Sequence, residues 1–285
     1  MVEFDSNNVV DQSEVVDWSK FEVLIKKKFF SVFRQKVICF IHGFTSSFSS
    51  HDKVFQLFVK KGYKLFAFNL PAHGKSKFEF KQNDLTLVNF ANLVVKFIQF
   101  HKLNDVILVG HSMGGAIATI VFSLIPQKIK CLVLEGPLNK GAFNPKGIIK
   151  SVFQKNFAGK YSILHPIETF RYSYKNNPDY KKILQNMFSS ETTKLISNAY
   201  EKIGDCPTLL IFGEDDRVIN PKFSIRYIQT CASNLTVKII PNAGHSPAYE
   251  QPELYFEIVQ KFIQELYFSL KQKRKKWFMR NRAKK

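Results

Sequence analysis

Apolar positions along the 285 residues gather in two rhythms. Short, nearly unbroken runs alternate with longer stretches in which apolar residues return every three or four positions. The first pattern suits strands covered on both faces, and the second suits amphipathic helices. The runs predict strands at Phe21–Ile25, Phe29–Phe33, Val37–Ile41, Lys64–Leu70, Val106–Val109, Lys130–Leu134, Pro207–Phe212 and Leu235–Ile240, the first two as an opening hairpin. Helices are predicted at Asp52–Lys61, from a cap at Asp84 to His101, from Met113 to near Pro126, at Pro221–Cys231 and over Pro252–Leu270. Repeated strand, loop and helix units predict an α/β chain with a mostly parallel sheet and helices on both faces. The rhythm breaks over residues 138–203, rich in Phe, Tyr, Lys and Asn, with helical stretches at Tyr180–Phe188 and Glu191–Ile203. That segment reads as a cap inserted between two core parts, 21–137 and 204–268. Residues 1–20 form a flexible acidic leader and 269–285 a basic tail.

The candidate chemistry starts where the fifth run meets its helix, at Gly110-His111-Ser112-Met113-Gly114. A serine with glycine two before and two after, at the top of a strand, has the spacing of a nucleophile elbow. The turn is so sharp that side chains at the flanking glycine positions would collide, and the serine hydroxyl is lifted above the sheet. A glycine-flanked serine also occurs in ordinary strand-to-helix turns, so the rest of the chain has to supply what a nucleophile needs. A serine hydroxyl requires a base, and the base requires an acid that holds its tautomer. Loops at the carboxyl edge of a parallel sheet are where such groups converge. His245, in the glycine-bearing loop after the last strand, is the candidate base. Asp216, in Gly213-Glu214-Asp215-Asp216, is the candidate acid, with neighbouring Asp215 and the strand-end Glu135 as alternatives. Backbone N–H groups of Met113 and of Phe44, in His42-Gly43-Phe44 after the third run, are the candidate oxyanion donors.

These motifs, in the order nucleophile, acid, base, resemble the α/β-hydrolase fold superfamily, in its capped branch of serine esterases, lipases and carbon–carbon hydrolases. The resemblance covers about residues 21–268. It implies an eight-stranded sheet with its second strand antiparallel, a lid after the sixth strand, and a catalytic triad of Ser112, Asp216 and His245. Haloalkane dehalogenases and epoxide hydrolases of this fold carry aspartate at the elbow, where this chain has Ser112. Iminopeptidases usually carry tryptophan where it has Met113. Relatives often have aspartate at the position of Asn69, a departure that touches a structural residue. The activity implied is hydrolysis of a small carboxylic ester with an apolar acyl or alcohol group, through an acyl-enzyme. A carbon–carbon or thioester hydrolase is the alternative, and a non-catalytic ligand- or membrane-binding member of the fold is the second. No cofactor or metal is called for, since nucleophile, base and oxyanion donors are all protein groups.

Composition adds three things. Hydrophobic residues at 45% exclude a disordered chain. Cys39, Cys131, Cys206 and Cys231 lack metal-type spacing, and with no visible secretory signal or spanning run they suit a cytoplasmic protein. The net charge of +19 is unevenly placed, because residues 271–285 hold nine basic groups and no acid around Trp277-Phe278-Met279. An anionic membrane surface is the candidate partner of that tail, against a merely solvated terminus, and no specific nucleic acid is expected. In the cap, Phe143, Phe153, Phe157, Tyr161, Phe170 and His165 are candidates to face substrate.

Overall fold

The apolar runs become the middle of one sheet. The structure, a computed structural model, describes residues 16–27, 35–76, 85–140 and 177–282. Its strands are β1 Val23–Lys26, β2 Val37–Ile41, β3 Lys64–Phe68, β4 Val106–His111, β5 Ile129–Glu135, β6 Thr208–Gly213 and β7 Leu235–Ile240. They stand in the order β1-β3-β2-β4-β5-β6-β7. β1 runs antiparallel to β3, and all other neighbours are parallel. The described residues therefore carry seven strands where eight were expected, with the antiparallel one first. The expected strand Phe29–Phe33 lies outside the described residues.

Successive side chains of a strand point to opposite faces, and the two faces build two cores. Val106 and Leu108 of β4, with Leu132 and Leu134 of β5, pack under helices α2 Leu87–Phe100 and α3 Met113–Leu124. Ile107 and Val109, with Cys131 and Val133, pack under α1 Asp52–Lys60 and the C-terminal helix, Pro252–Arg282. Burial on both faces explains why these strands read as almost continuous hydrophobic runs.

Several element ends differ from expectation. Asp84 lies outside the described residues, and Thr86 caps α2, its hydroxyl accepting from Asn89 N at 3.2 Å. Within the expected cap, helices α4 Pro178–Met187 and α5 Ser190–Glu201 contribute Ile183, Ile196 and Tyr200 to the same core as α3. The Tyr200 hydroxyl donates to the Leu138 carbonyl at 3.1 Å. The end of the expected leader is also packed, with the Trp18 ring 5.0 Å from Phe97 and 5.4 Å from Phe68. After β6 come α6 Pro221–Cys231, the short α7 Pro247–Glu250 and α8 Pro252–Arg282. Tyr255, Val259 and Ile263 are one buried stripe of α8 at four-residue spacing. The helix does not stop at Leu270 with that stripe. No glycine or proline follows, and Lys and Arg are good helix formers that complement a helix C-terminus.

Parallel order brings the carboxyl ends of β2, β4, β5, β6 and β7 to one edge. His42–Phe44, Ser112, Glu135, Asp216 and His245 all follow or terminate those strands. No helix among the described residues is long and apolar enough to cross a membrane.

Candidate active site

Ser112 sits at φ 54° and ψ −116°, between β4 and α3. Positive φ is strained for a side chain that is not glycine, and it persists where surroundings over-determine it. Here the surroundings are hydrogen bonds and close packing. Ser112 N donates to the Glu135 carbonyl at 2.9 Å, and the Ser112 carbonyl accepts from Gly115 N at 3.0 Å and Leu138 N at 2.9 Å. A Cβ on Gly110 would run into the Gly114 carbonyl, and one on Gly114 into those of Ile41 and His42. The two glycines are therefore required by space, as their spacing around Ser112 suggests.

The other two expected side chains meet this serine. His245 Nε2 is 2.9 Å from Ser112 Oγ, and His245 Nδ1 is 2.9 Å from Asp216 Oδ2. With Asp216 accepting the Nδ1 hydrogen, Nε2 offers its lone pair to the Ser112 hydroxyl. The remaining oxygen of Asp216 accepts from Val218 N and Ile219 N, both at 2.9 Å, which fixes the carboxylate. Asp215 turns the other way, to Arg217 at 2.9 Å. Burial disfavours a charged His245, but the Asp216 carboxylate, with Glu135 and Glu250 further off, outweighs burial and raises its pKa above the ordinary value.

The His42–Phe44 loop, the candidate source of an oxyanion donor, lies against the elbow. A Cβ on Gly43 would stand 2.9 Å from His111 Nδ1 and 3.2 Å from Ser112 Cβ, so backbone at residue 43 touches the nucleophile turn. Phe44 is the next residue, and Met113 opens α3, where a first-turn N–H has no partner within the helix. Buried histidines pin the loops. His42 Nδ1 donates to the Gly43 carbonyl at 2.8 Å while Nε2 accepts from Leu70 N at 2.9 Å. His73 Nδ1 donates to the Pro71 carbonyl at 2.7 Å while Nε2 accepts from Thr45 N at 3.1 Å. His111 Nε2 donates to the His245 carbonyl at 2.9 Å.

Asn69, the departure from the family pattern, has a physical account. Its Oδ1 accepts from Phe48 N at 2.9 Å, and its Nδ2 donates to Glu22 Oε2. An aspartate could make the first bond but not the second.

Sequence reasoning missed two residues of this neighbourhood. Glu250 braces the histidine loop, with one oxygen accepting from Gly244 N at 2.6 Å and the other from Ser246 N at 3.3 Å. An acid one turn into a helix that opens just after His245 was the available signal. His51 faces Glu135 at 3.0 Å, and no local motif marks it. Glu135 itself does not touch His245 in place of Asp216. Leu138, bonded to Ser112, borders a cavity of about 220 Å³ that Met187, Phe188, Ile196, Thr193, Asn139 and Lys140 also line. Phe143, Phe153, Phe157, Tyr161, His165 and Phe170 lie outside the described residues. Among the described residues, no group of three or more His, Cys, Asp or Glu side chains is placed to hold a metal ion.

A serine at a strained strand-to-helix turn, in a mostly parallel sheet whose later loops bring a histidine and an aspartate to it, is the arrangement of an α/β hydrolase. The model of the family described as serine aminopeptidase, S33, matches residues 34–252, and the chain belongs to that family. The Mycoplasma genitalium protein named "Putative esterase/lipase 2" is 36% identical over 244 residues, covering 82% of this chain and 91% of that one. Its namesake in Mycoplasma pneumoniae is 33% identical over 238 residues, covering 80% and 88%. Among solved structures, a bacterial membrane phospholipase A superposes with a TM-score of 0.72 at 20% identity, over 86% of this chain and 82% of that one, a likeness of fold. The protein is an α/β hydrolase of the esterase/lipase type.

Proposed function

We propose that the protein hydrolyses small carboxylic esters through an acyl-enzyme on Ser112. His245 takes the hydroxyl proton as Ser112 Oγ attacks the ester carbonyl, and returns it to the departing alcohol. Asp216 holds the imidazole in the required tautomer and stabilises its charged form. Backbone N–H groups of Phe44 and Met113 receive the oxyanion. Water, deprotonated by the same histidine, then releases the acid. The observation that carries this reading is the unbroken line of 2.9 Å contacts from Ser112 through His245 to Asp216. The names of the relatives support an ester over an amide, and the apolar part of the cavity beside Leu138 supports an apolar acyl or alcohol group.

A fluorophosphonate probe tests it. The wild-type protein is expected to label and Ser112→Ala not to, with turnover of nitrophenyl esters falling about 10⁴- to 10⁶-fold. A folded wild-type protein that does not label ends the hydrolase reading. Faster turnover of aminoacyl nitroanilides than of esters would make it a peptidase, as the family description has it.

The basic end of α8 belongs to the same proposal, as a contact to an anionic lipid surface. From Leu270 to Arg282 the helix runs on for about 18 Å. Trp277 and Met279 on it are 60% and 56% exposed, among basic residues that each contribute about 1 kcal/mol near such a surface. Sedimentation with phosphatidylserine-containing vesicles is expected to carry down the full chain, less so in high salt, and not a chain ending at residue 270. Equal sedimentation of both chains removes the contact.

A further inference from the structure

Glu135 ends β5 directly behind the nucleophile, and its side chain is fully buried, at 0% exposure. An isolated carboxylate there would cost several kcal/mol, so its partners explain why it is tolerated. Backbone and side chain together tie residue 135 to three segments, two of them through the carboxylate. The backbone carbonyl of Glu135 accepts from Ser112 N at 2.9 Å, which holds the elbow. Oε1 accepts from Ala248 N at 2.9 Å, three residues beyond His245. Oε2 accepts from His51 Nε2 at 3.0 Å, and His51 closes the segment that starts at the oxyanion loop. His51 Nδ1 is held in turn by Ser50 Oγ at 2.8 Å.

The carboxylate is also electrically close to the reacting histidine. Burial pushes its pKa up, but His51, His111 and the Ala248 N–H outweigh burial and hold it below the usual carboxylate range. It is therefore charged at neutral pH. Among the described residues, His245 is faced by Asp216 from the β6 loop, Ser112 and His111 from the elbow, Glu135 from β5 and Glu250 from α7. Tyr255 of α8 also interacts with Glu135, its phenol pKa raised by burial and by that carboxylate.

We propose that Glu135 is a positioning residue of the hydrolytic site, tying the elbow, the histidine loop and the oxyanion segment to one point and fixing a negative charge behind His245. The proposal rests on Ser112 and His245 acting as nucleophile and base. It requires no contact between Glu135 and substrate, so its loss should lower kcat and leave KM nearly unchanged.

The test is kcat and KM against pH for the full chain and for Glu135→Gln and Glu135→Asp, with melting curves to establish folding. Glu135→Gln keeps the shape and removes the charge. His245 then loses its proton more readily, so the acid limb of kcat/KM moves to lower pH by about half a unit or more. Glu135→Asp keeps the charge but shortens the reach, so the limb stays and kcat falls about tenfold to a hundredfold. A folded Glu135→Gln protein with the wild-type limb and kcat overturns the proposal. Should neither Glu135 variant fold, His51→Gln, which keeps a donor to the carboxylate, is expected within about threefold of wild-type kcat, and His51→Leu at least about tenfold below it. Equal kcat for these two overturns it as well. Ser112→Ala runs alongside, since turnover surviving in that variant would sink the nucleophile reading and not the tie alone.

Discussion

Asn69 is nearly fully buried, and its amide uses both ends: the oxygen takes Phe48 N–H and the nitrogen gives to Glu22. Glu22 Oε2 also accepts from Lys75 N at 2.9 Å, so one amide and one carboxylate join β1, the segment after β2 and the loop after β3. Asn69→Asp would turn the donor into a second acceptor and set two carboxylates against each other. An unsatisfied buried group of this kind costs about 1–3 kcal/mol. Urea unfolding is expected to show that loss, and the double variant Asn69→Asp with Glu22→Gln to recover part of it, because the new amide donates to residue 69 but no longer accepts from Lys75 N. A double variant no more stable than Asn69→Asp alone would refute the pairing. Residues 22 and 69 lie far apart in the chain, so the compensation for a departure at Asn69 could not be read along the sequence.

At the scale of elements, what was legible is what is local. Gly110, Ser112 and Gly114 announce their turn because the collisions that exclude other residues occur within five positions and with the strand beside them. Ser112, Asp216 and His245 could be picked out in that order because each follows a parallel strand, and strand ends are visible as ends of apolar runs. Asp216 and Asp215 could not be separated in the same way. Adjacent residues point apart, and only Val218 N and Ile219 N on one side and Arg217 on the other decide which carboxylate faces His245. Helices α4 and α5 were assigned to a cap because no strand accompanies them, yet Tyr200 and Ile196 are core residues against α3. Composition cannot say which partner an amphipathic helix will find. The C-terminal helix shows the converse. Its apolar stripe ends near Leu270, but backbone hydrogen bonding needs no stripe, so α8 continues to Arg282.

For the molecule as a whole, the buried histidines that pin the site loops set a limit on the acid side. Burial is the main reason that His73 and His111 are held down at about 4, and that His42 lies well below its ordinary value. In the unfolded chain each regains a value near 6.5, so between about pH 6.5 and 4 the unfolded state binds more protons than the folded one. Stability then falls with falling pH, by up to about 1.4 kcal/mol per pH unit for each histidine. Three together approach about 4 kcal/mol per unit, against a total of about 5–15 kcal/mol for a folded domain. His245 acts in the opposite sense. Its raised value adds stability that is complete at low pH and is lost as pH rises through that value, so it offsets only part of the acid loss. Glu135, held low, adds stability above its unfolded value that is lost only as pH falls below that value toward its folded one, and so extends the acid loss beyond the histidine range. Thermal melts from pH 7.5 down to pH 4.5 should therefore show a steep fall beginning near pH 6.5, and His73→Gln should flatten it by about one proton's worth. A melting temperature that stays level over this range would mean that these histidines are not buried neutral. Two acid effects on activity then separate in time. Protonation of His245 reverses as soon as a sample returns to neutral pH, whereas activity lost with the His42 and His73 loops returns only as the chain refolds.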